Sequence, residues 1–108
     1  MMLTAHIEEK TGQVVSREYY ALNEFGLFRR YMGGVASVVV RYQNQVVGMY
    51  DCDGVMVATP TGSTAYSLSA GGPVVDPQVQ CMLITPVCAH SLNARPFLVP
   101  DNGVGTLA

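Results

Sequence analysis

The run Thr59-Pro60-Thr61-Gly62-Ser63-Thr64-Ala65-Tyr66 concentrates the residue types best suited to hold a polar ligand. An apolar stretch enters it, a Gly/Ser/Thr turn follows, and small helix-compatible residues leave it. The first N–H groups of a helix lack internal partners and carry the positive end of its dipole. Gly62 permits a ligand to approach the backbone closely. The hydroxyls of Thr61, Ser63 and Thr64 add neutral donors. Such a turn suits a phosphate or a polar nucleotide group, and Tyr66 can lay its ring or hydroxyl on a base or ribose. The alternative is an ordinary capped helix without a ligand, and the run alone does not decide between them. It is not a Walker A loop, because the single lysine, Lys10, lies far from it.

Other residues offer less. Asn23-Glu24 ends the apolar stretch Tyr19-Tyr20-Ala21-Leu22. An amide beside a carboxylate can read a base edge or ribose hydroxyls; the commoner use is to stabilise a turn. Asp53 sits in a turn at the opposite end of the strand that leads to Thr59. His90 and Arg95 lie in a proline-bounded loop, where a structural hydrogen bond is the ordinary role of a lone histidine and Arg95 can anchor the loop or meet a phosphate. Asp51-x-Asp53-Gly54 starts like a calcium loop, but Met56 and Gly62 stand where glycine and glutamate are required. HExxH, CxxC and GxSxG motifs are all missing.

These groups are carried by short strands. Residues 3–8 alternate apolar and polar, residues 13–22 are rich in Val and Tyr, and Thr11-Gly12 turns between them. Residues 29–34 form a polar loop. Residues 35–42 hold four valines and predict a strand buried on both faces. Gln43-Asn44-Gln45 turns the chain into an antiparallel return over 46–50. Residues 51–54 turn again, and further strands are expected over 54–59, 80–85 and 97–99. Residues 64–70 predict one short helix, with hydroxyl caps before it and Gly71-Gly72-Pro73 to stop it. The fold class is mainly β with one short helix after the TPTGST turn. Tyr19, Tyr20, Phe25 and Phe28 are expected in the core or an interface.

Composition narrows the function. Of 108 residues, 49% are hydrophobic and 13% charged, which is incompatible with a disordered chain. Six Lys+Arg against eight Asp+Glu leave no basic surface for nucleic acid or anionic lipid. No apolar run is long enough for a transmembrane helix. The charged start is not a secretory signal. Cys52, Cys81 and Cys88 lack metal-site spacing and predict buried thiols in a reducing, cytoplasmic compartment. So little charge on so small a chain implies that part of its surface packs against another domain or subunit.

Asp53-Gly54-Val55-Met56-Val57-Ala58 followed by the fifteen residues TPTGSTAYSLSAGGP resembles the NAD kinase family closely. So do Leu83-Ile84-Thr85-Pro86-Val87-Cys88-Ala89-His90-Ser91-Leu92, Arg95-Pro96, and Ala21-Leu22-Asn23-Glu24 at suitable spacing. The resemblance covers about residues 21–100 and implies an antiparallel β-sandwich-like C-terminal domain. It implies transfer of a phosphoryl group from ATP, or from polyphosphate in some members, to the 2′-hydroxyl of the NAD adenosine ribose, giving NADP. It further implies a homo-oligomer and Mg²⁺ or another divalent cation carried with ATP. Asn23, Glu24, Asp53, Thr64, Ala65, Tyr66, Ser67, Leu68 and Ser69 would contact NAD. The family's Gly-Gly-Asp-Gly motif, with its catalytic aspartate, belongs to an N-terminal α/β domain, and this sequence has none. Residues 1–108 are therefore expected to be part of the C-terminal NAD-binding domain and inactive alone, the alternative being a non-catalytic NAD(P)-binding or oligomerisation module.

Overall fold

The computed structural model describes residues 2–30, 36–87, 89 and 94–108. Gly33 and Gly34 of the polar loop, Val35, Cys88, His90, Ser91 and Leu92 lie outside them. Among the described residues there are nine strands: β1 (Leu3–Ala5), β2 (Tyr19–Ala21), β3 (Glu24–Phe28), β4 (Ala36–Tyr42), β5 (Gln45–Cys52), β6 (Gly54–Ala58), β7 (Cys81–Val87), β8 (Phe97–Pro100) and β9 (Gly105–Leu107). A 3-10 turn (Thr61–Thr64) and a single-turn helix α1 (Tyr66–Ser69) follow β6.

The strands form two antiparallel sheets and a small hairpin. One sheet runs β3-β6-β7-β8, the second β5-β4-β9, and β1 pairs with β2. The two large sheets face each other. Val55, Met82, Ile84 and Val99 of the first pack against Val38, Val40 and Cys52 of the second, with Leu3 closing one end. This alternation of inward apolar residues makes a β-sandwich, as the resemblance implies. The chain changes sheet within three residues, Cys52 to Gly54, so Asp53 stands at a corner between the layers.

Several expectations need correction. Residues 13–22 do not form one strand: an isolated Glu8–Val14 bridge precedes the short β2, and Ile7, Val14 and Val15 are exposed. β4 is buried on one face, with Val38 and Val40 inward, not on both. Gln43 and Asn44 take positive φ of 52° and 63°, the geometry of a tight two-residue hairpin turn. The expected helix over 64–70 is present as the single turn 66–69, with the 3-10 turn 61–64 before it, but no side-chain hydrogen bond caps either one. It does stop at Gly71, whose φ of +92° suits glycine. Phe25 packs into the core, whereas Tyr19, Tyr20 and Phe28 are exposed. β3 and β9 were not foreseen.

The second face of the β3-β6-β7-β8 sheet is covered by the Thr61–Ser69 segment and its return. Ala58, Val75, Cys81 and Leu83 make a small second core there. The segment is pinned by buried hydroxyls. Thr59, fully buried, donates its N–H to the Asn23 carbonyl (2.8 Å) and its Oγ1 to the Leu22 carbonyl (2.7 Å), while Oγ1 accepts the Gly62 N–H (2.9 Å). Ser63 Oγ donates to the Pro60 carbonyl (2.6 Å) and accepts the Val75 N–H (2.9 Å). Ser67 Oγ pairs with Thr85 Oγ1 at 2.9 Å. A Cβ at Gly62 would fall on the Asn23 carbonyl, so glycine is required by backbone packing.

Two consequences are measurable. Gly62→Ala, which forces two backbones apart, and Thr59→Val, which strands the Gly62 N–H, should each cost about 1–3 kcal/mol in urea unfolding. Burial pushes the Cys52 thiol above its ordinary pKa; the Gly54 backbone hydrogen bond opposes this, and Asp53 and Asp51 reinforce it. Burial raises Cys81 likewise, with Asp101 adding to it. A group whose folded pKa is raised stabilises the fold fully below its unfolded value and loses that contribution as pH climbs through the folded one. The thermal midpoint should therefore fall above roughly pH 8.5, with a shallower fall in Cys52→Ala. Both thiols should resist labelling until the chain unfolds.

Candidate nucleotide site

The register of β3 against β6 organises the site. Glu24 lies opposite Ala58, Gly26 opposite Met56 and Phe28 opposite Gly54. Directly opposed residues share a sheet face, so Glu24, Gly26 and Phe28 point to the face covered by the helical segment. Met56 in turn lies opposite Thr85, whose hydroxyl meets Ser67. α1 therefore sits across this face, and Tyr66 reaches from it to Phe28, ring centroids 6.2 Å apart and tilted by 50°.

Asn23 and Asp53 are at opposite ends of the β3–β6 pair, about 17 Å apart along a five-residue strand. The sequence left open whether Asp53 and the start of the helical segment, at opposite ends of β6, face one groove. The helical segment starts at the Asn23 end, clasped by Thr59, and its Tyr66 reaches Phe28, whose strand partner Gly54 follows Asp53 in the chain. Asp53 donates its N–H to the Val87 carbonyl and accepts the Arg29 N–H at its own carbonyl, and its carboxylate pairs with the Arg29 guanidinium.

The individual groups differ in what they present. Asn23, Thr64, Tyr66, Leu68 and Ser69 are exposed; Glu24, Asp53 and Ala65 are half-buried. Ser67 is fully buried, its hydroxyl already bonded to Thr85. The donors expected at the turn are largely committed inside the fold. The Gly62 N–H goes to Thr59 and the Ser63 N–H to Pro60. Thr64 Oγ1 donates to the Thr61 carbonyl. An open phosphate-binding helix end is thus not what this turn provides.

Glu24 is different. Its Oε2 is buried and, among the described residues, is the one buried side-chain polar atom without a hydrogen-bond partner. Such atoms are rare because each forfeits its hydration uncompensated. A donor from outside the described residues would complete it. The sequence reading put Phe28 in the core or an interface and Arg29 in a polar loop and passed over Gly26; the clue to their place was alternation after Glu24, which puts Gly26 and Phe28 on the face of the carboxylate. Arg95 is exposed ahead of β8, and His90 lies outside the described residues. Among the described residues no three His, Cys, Asp or Glu cluster as a metal site, and no helix is long and apolar enough to cross a membrane.

Comparison with known proteins gives this geometry a context. Residues 22–105 match the family described as the ATP-NAD kinase C-terminal domain. The NAD kinase of Magnetococcus marinus is 42% identical over 103 residues, 95% of this chain and 33% of that protein. The NAD kinase of Porphyromonas gingivalis W83 is 43% identical over 101 residues, 94% of this chain and 35% of its own. The chain thus spans about a third of the length of these relatives. Yeast NADH kinase, in a crystal structure complexed with NADH, superposes with a TM-score of 0.86 at 34% identity, covering 98% of this chain and 29% of that one. An NAD kinase from Archaeoglobus fulgidus in complex with ATP gives 0.78 at 34% identity, covering 82% and 35%. With its sandwich, its covered sheet face and most of its length matched in this way, the chain belongs to the ATP-NAD kinase family.

Proposed function

We propose that these 108 residues supply the NAD-binding part of an NAD kinase, the enzyme that phosphorylates the 2′-hydroxyl of the NAD adenosine ribose with ATP or polyphosphate. The observation that carries the reading is the unpartnered Glu24 Oε2, on the sheet face to which Tyr66 is also brought. A buried acceptor and an exposed ring on one sheet face suit a ligand that has both hydroxyl or amide donors and a planar ring. A dinucleotide has both. Asn23, Glu24 and Asp53 would orient it by hydrogen bonds, and residues 64–69 would form its wall, Tyr66 by its ring. With Ser67 turned inward, its part would be to hold α1 in place and offer backbone groups.

Transfer needs an activated hydroxyl, a positioned donor and charge neutralisation on the phosphates. Mg²⁺ would arrive with the ATP phosphates as part of that substrate. No Gly-Gly-Asp-Gly run occurs in the sequence, so an activating carboxylate of the family type would have to come from elsewhere. A second reading is a module that binds NAD(P) or joins a partner without transferring phosphate. The exposed Val46, Val47 and Met49 on β5 suit a further subunit, and free buried thiols suit the cytoplasm.

Calorimetric titration of the purified chain with NAD tests the assignment. Saturable binding is expected, weakened roughly tenfold or more in Tyr66→Ala. Glu24→Gln should lose affinity without a lower thermal midpoint, because the acceptor it replaces has no internal partner. A folded chain that ignores millimolar NAD, or variants that bind as well as the parent, would remove the basis for the proposal. ATP or polyphosphate added to the chain alone should yield no NADP.

A further inference from the structure

β7 is buried along its whole length, and its alternation divides its side chains between two cores. Met82 and Ile84 belong to the sandwich, Cys81 and Leu83 to the small core under the helical segment. Thr85 continues the second row, so a hydroxyl stands where the strand otherwise places apolar groups. It is fully buried, and a buried hydroxyl is costly unless paired. Its partner is Ser67 Oγ, 2.9 Å away and fully buried as well.

α1 has few other holds on the sheet. It is one turn long, neither end carries a side-chain cap, and Ser67 is its one buried residue. Tyr66 and Leu68 are exposed. The bond from the Val75 N–H to Ser63 Oγ closes the loop 64–74 at its base, away from the turn itself. Ser67 is gripped on two sides: β7 holds its hydroxyl, and the Gly72 N–H holds its carbonyl (2.8 Å). A Cβ at Gly72 would crowd both Ser67 Oγ and Thr85 Oγ1, so the returning chain is kept free of bulk at this pair.

We propose that Thr85 is a positioning residue for the nucleotide: acting through Ser67, it sets where α1 lies on the sheet, and so where residues 64–69 and the Tyr66 ring stand. This inference rests on the NAD-binding reading and extends it to a strand beneath the wall of the site. Thr85 is fully buried and acts without touching the ligand. Two hydroxyls suit this task better than two apolar groups. A hydrogen bond fixes a distance and a direction, whereas apolar contact is non-directional and tolerates sliding.

The test compares Thr85→Val, Thr85→Ser, Ser67→Ala and the double variant Thr85→Val/Ser67→Ala with the parent chain, each at a temperature where it is folded. NAD affinity is measured by calorimetry, and amide exchange by NMR without NAD. Thr85→Val keeps the volume and loses the hydroxyl. It should weaken NAD binding roughly tenfold, Ser67→Ala likewise, and the double variant no further than the weaker single, because the two hydroxyls act as one unit. Thr85→Ser keeps the hydroxyl and should bind within about twofold of the parent. In Thr85→Val the amides of Ala70 and Gly72, bonded to the Tyr66 and Ser67 carbonyls, should gain in exchange rate by a larger factor than those of β6 and β7. A threonine that is merely structural gives another result: Thr85→Val lowers the thermal midpoint, yet the folded variant binds NAD as the parent does. That outcome, a uniform rise in exchange along the chain, or a Thr85→Ser that binds as poorly as Thr85→Val overturns the inference and leaves the NAD-binding reading standing. Should Thr85→Val not fold, Ser67→Ala decides: weakened binding supports the inference and parent-like binding overturns it. If the folded parent does not bind NAD, both fail.

Discussion

The contact between the Thr59–Gly62 backbone and the Leu22–Asn23 backbone governs the remaining architecture. Three hydrogen bonds meet at one buried threonine, and the glycine three residues on leaves room for the approach. The end of β6 and the start of β3 are thereby fastened where the strands part. That fastening sets the β3–β6 register, and a slip of one residue would turn Glu24 and Phe28 to the opposite face. It also sets the point from which the helical segment departs, hence where Tyr66 lands. Buried polar groups justify their desolvation only when fully paired, and Thr59 meets that condition through both its backbone and its hydroxyl.

A second constraint comes from the sandwich. β5 and β6 are consecutive in the chain but belong to different sheets, so the backbone must turn sharply between Cys52 and Gly54. Asp53 occupies that corner, tied through its N–H to β7 and through its carbonyl to Arg29. Its position is therefore fixed by topology rather than by a loop of its own. A side chain placed this way inherits the rigidity of two sheets at no further ordering cost.

Much of this was readable in advance, for identifiable reasons. β6 and β7 are short apolar runs between turn residues, and the hairpin around Gln43-Asn44 has polar residues between alternating strands. β3 was hidden because Glu24-Phe25-Gly26-Leu27-Phe28 includes a glycine and a carboxylate, both poor in strands; its pairing partner lies some thirty residues on, Glu24 with Ala58. β4 misled through its valines, since burial on one face or two depends on what lies beyond the sheet. The hydroxyl-rich turn was recognised as special, but the direction of its donors was not legible. Whether Ser63 bonds a ligand or the Val75 N–H depends on a return segment that only the fold brings near.

That difference changes how the family's most distinctive run works in this chain. Thr59, Ser63 and Ser67 are inward-facing fasteners, and the glycines at 62 and 72 are sites of close packing, Gly72 against Ser67 as Gly62 is against Asn23. A run so rich in serine, threonine and glycine is thus only partly a ligand loop. It first solves the problem of laying an irregular segment on a sheet face without stranding its backbone polar groups. With those hydroxyls committed inside the fold, the polar and aromatic side chains that remain outward on this face include Asn23, Tyr66 and Phe28. The identity of residues 59–73 is then constrained mainly by packing.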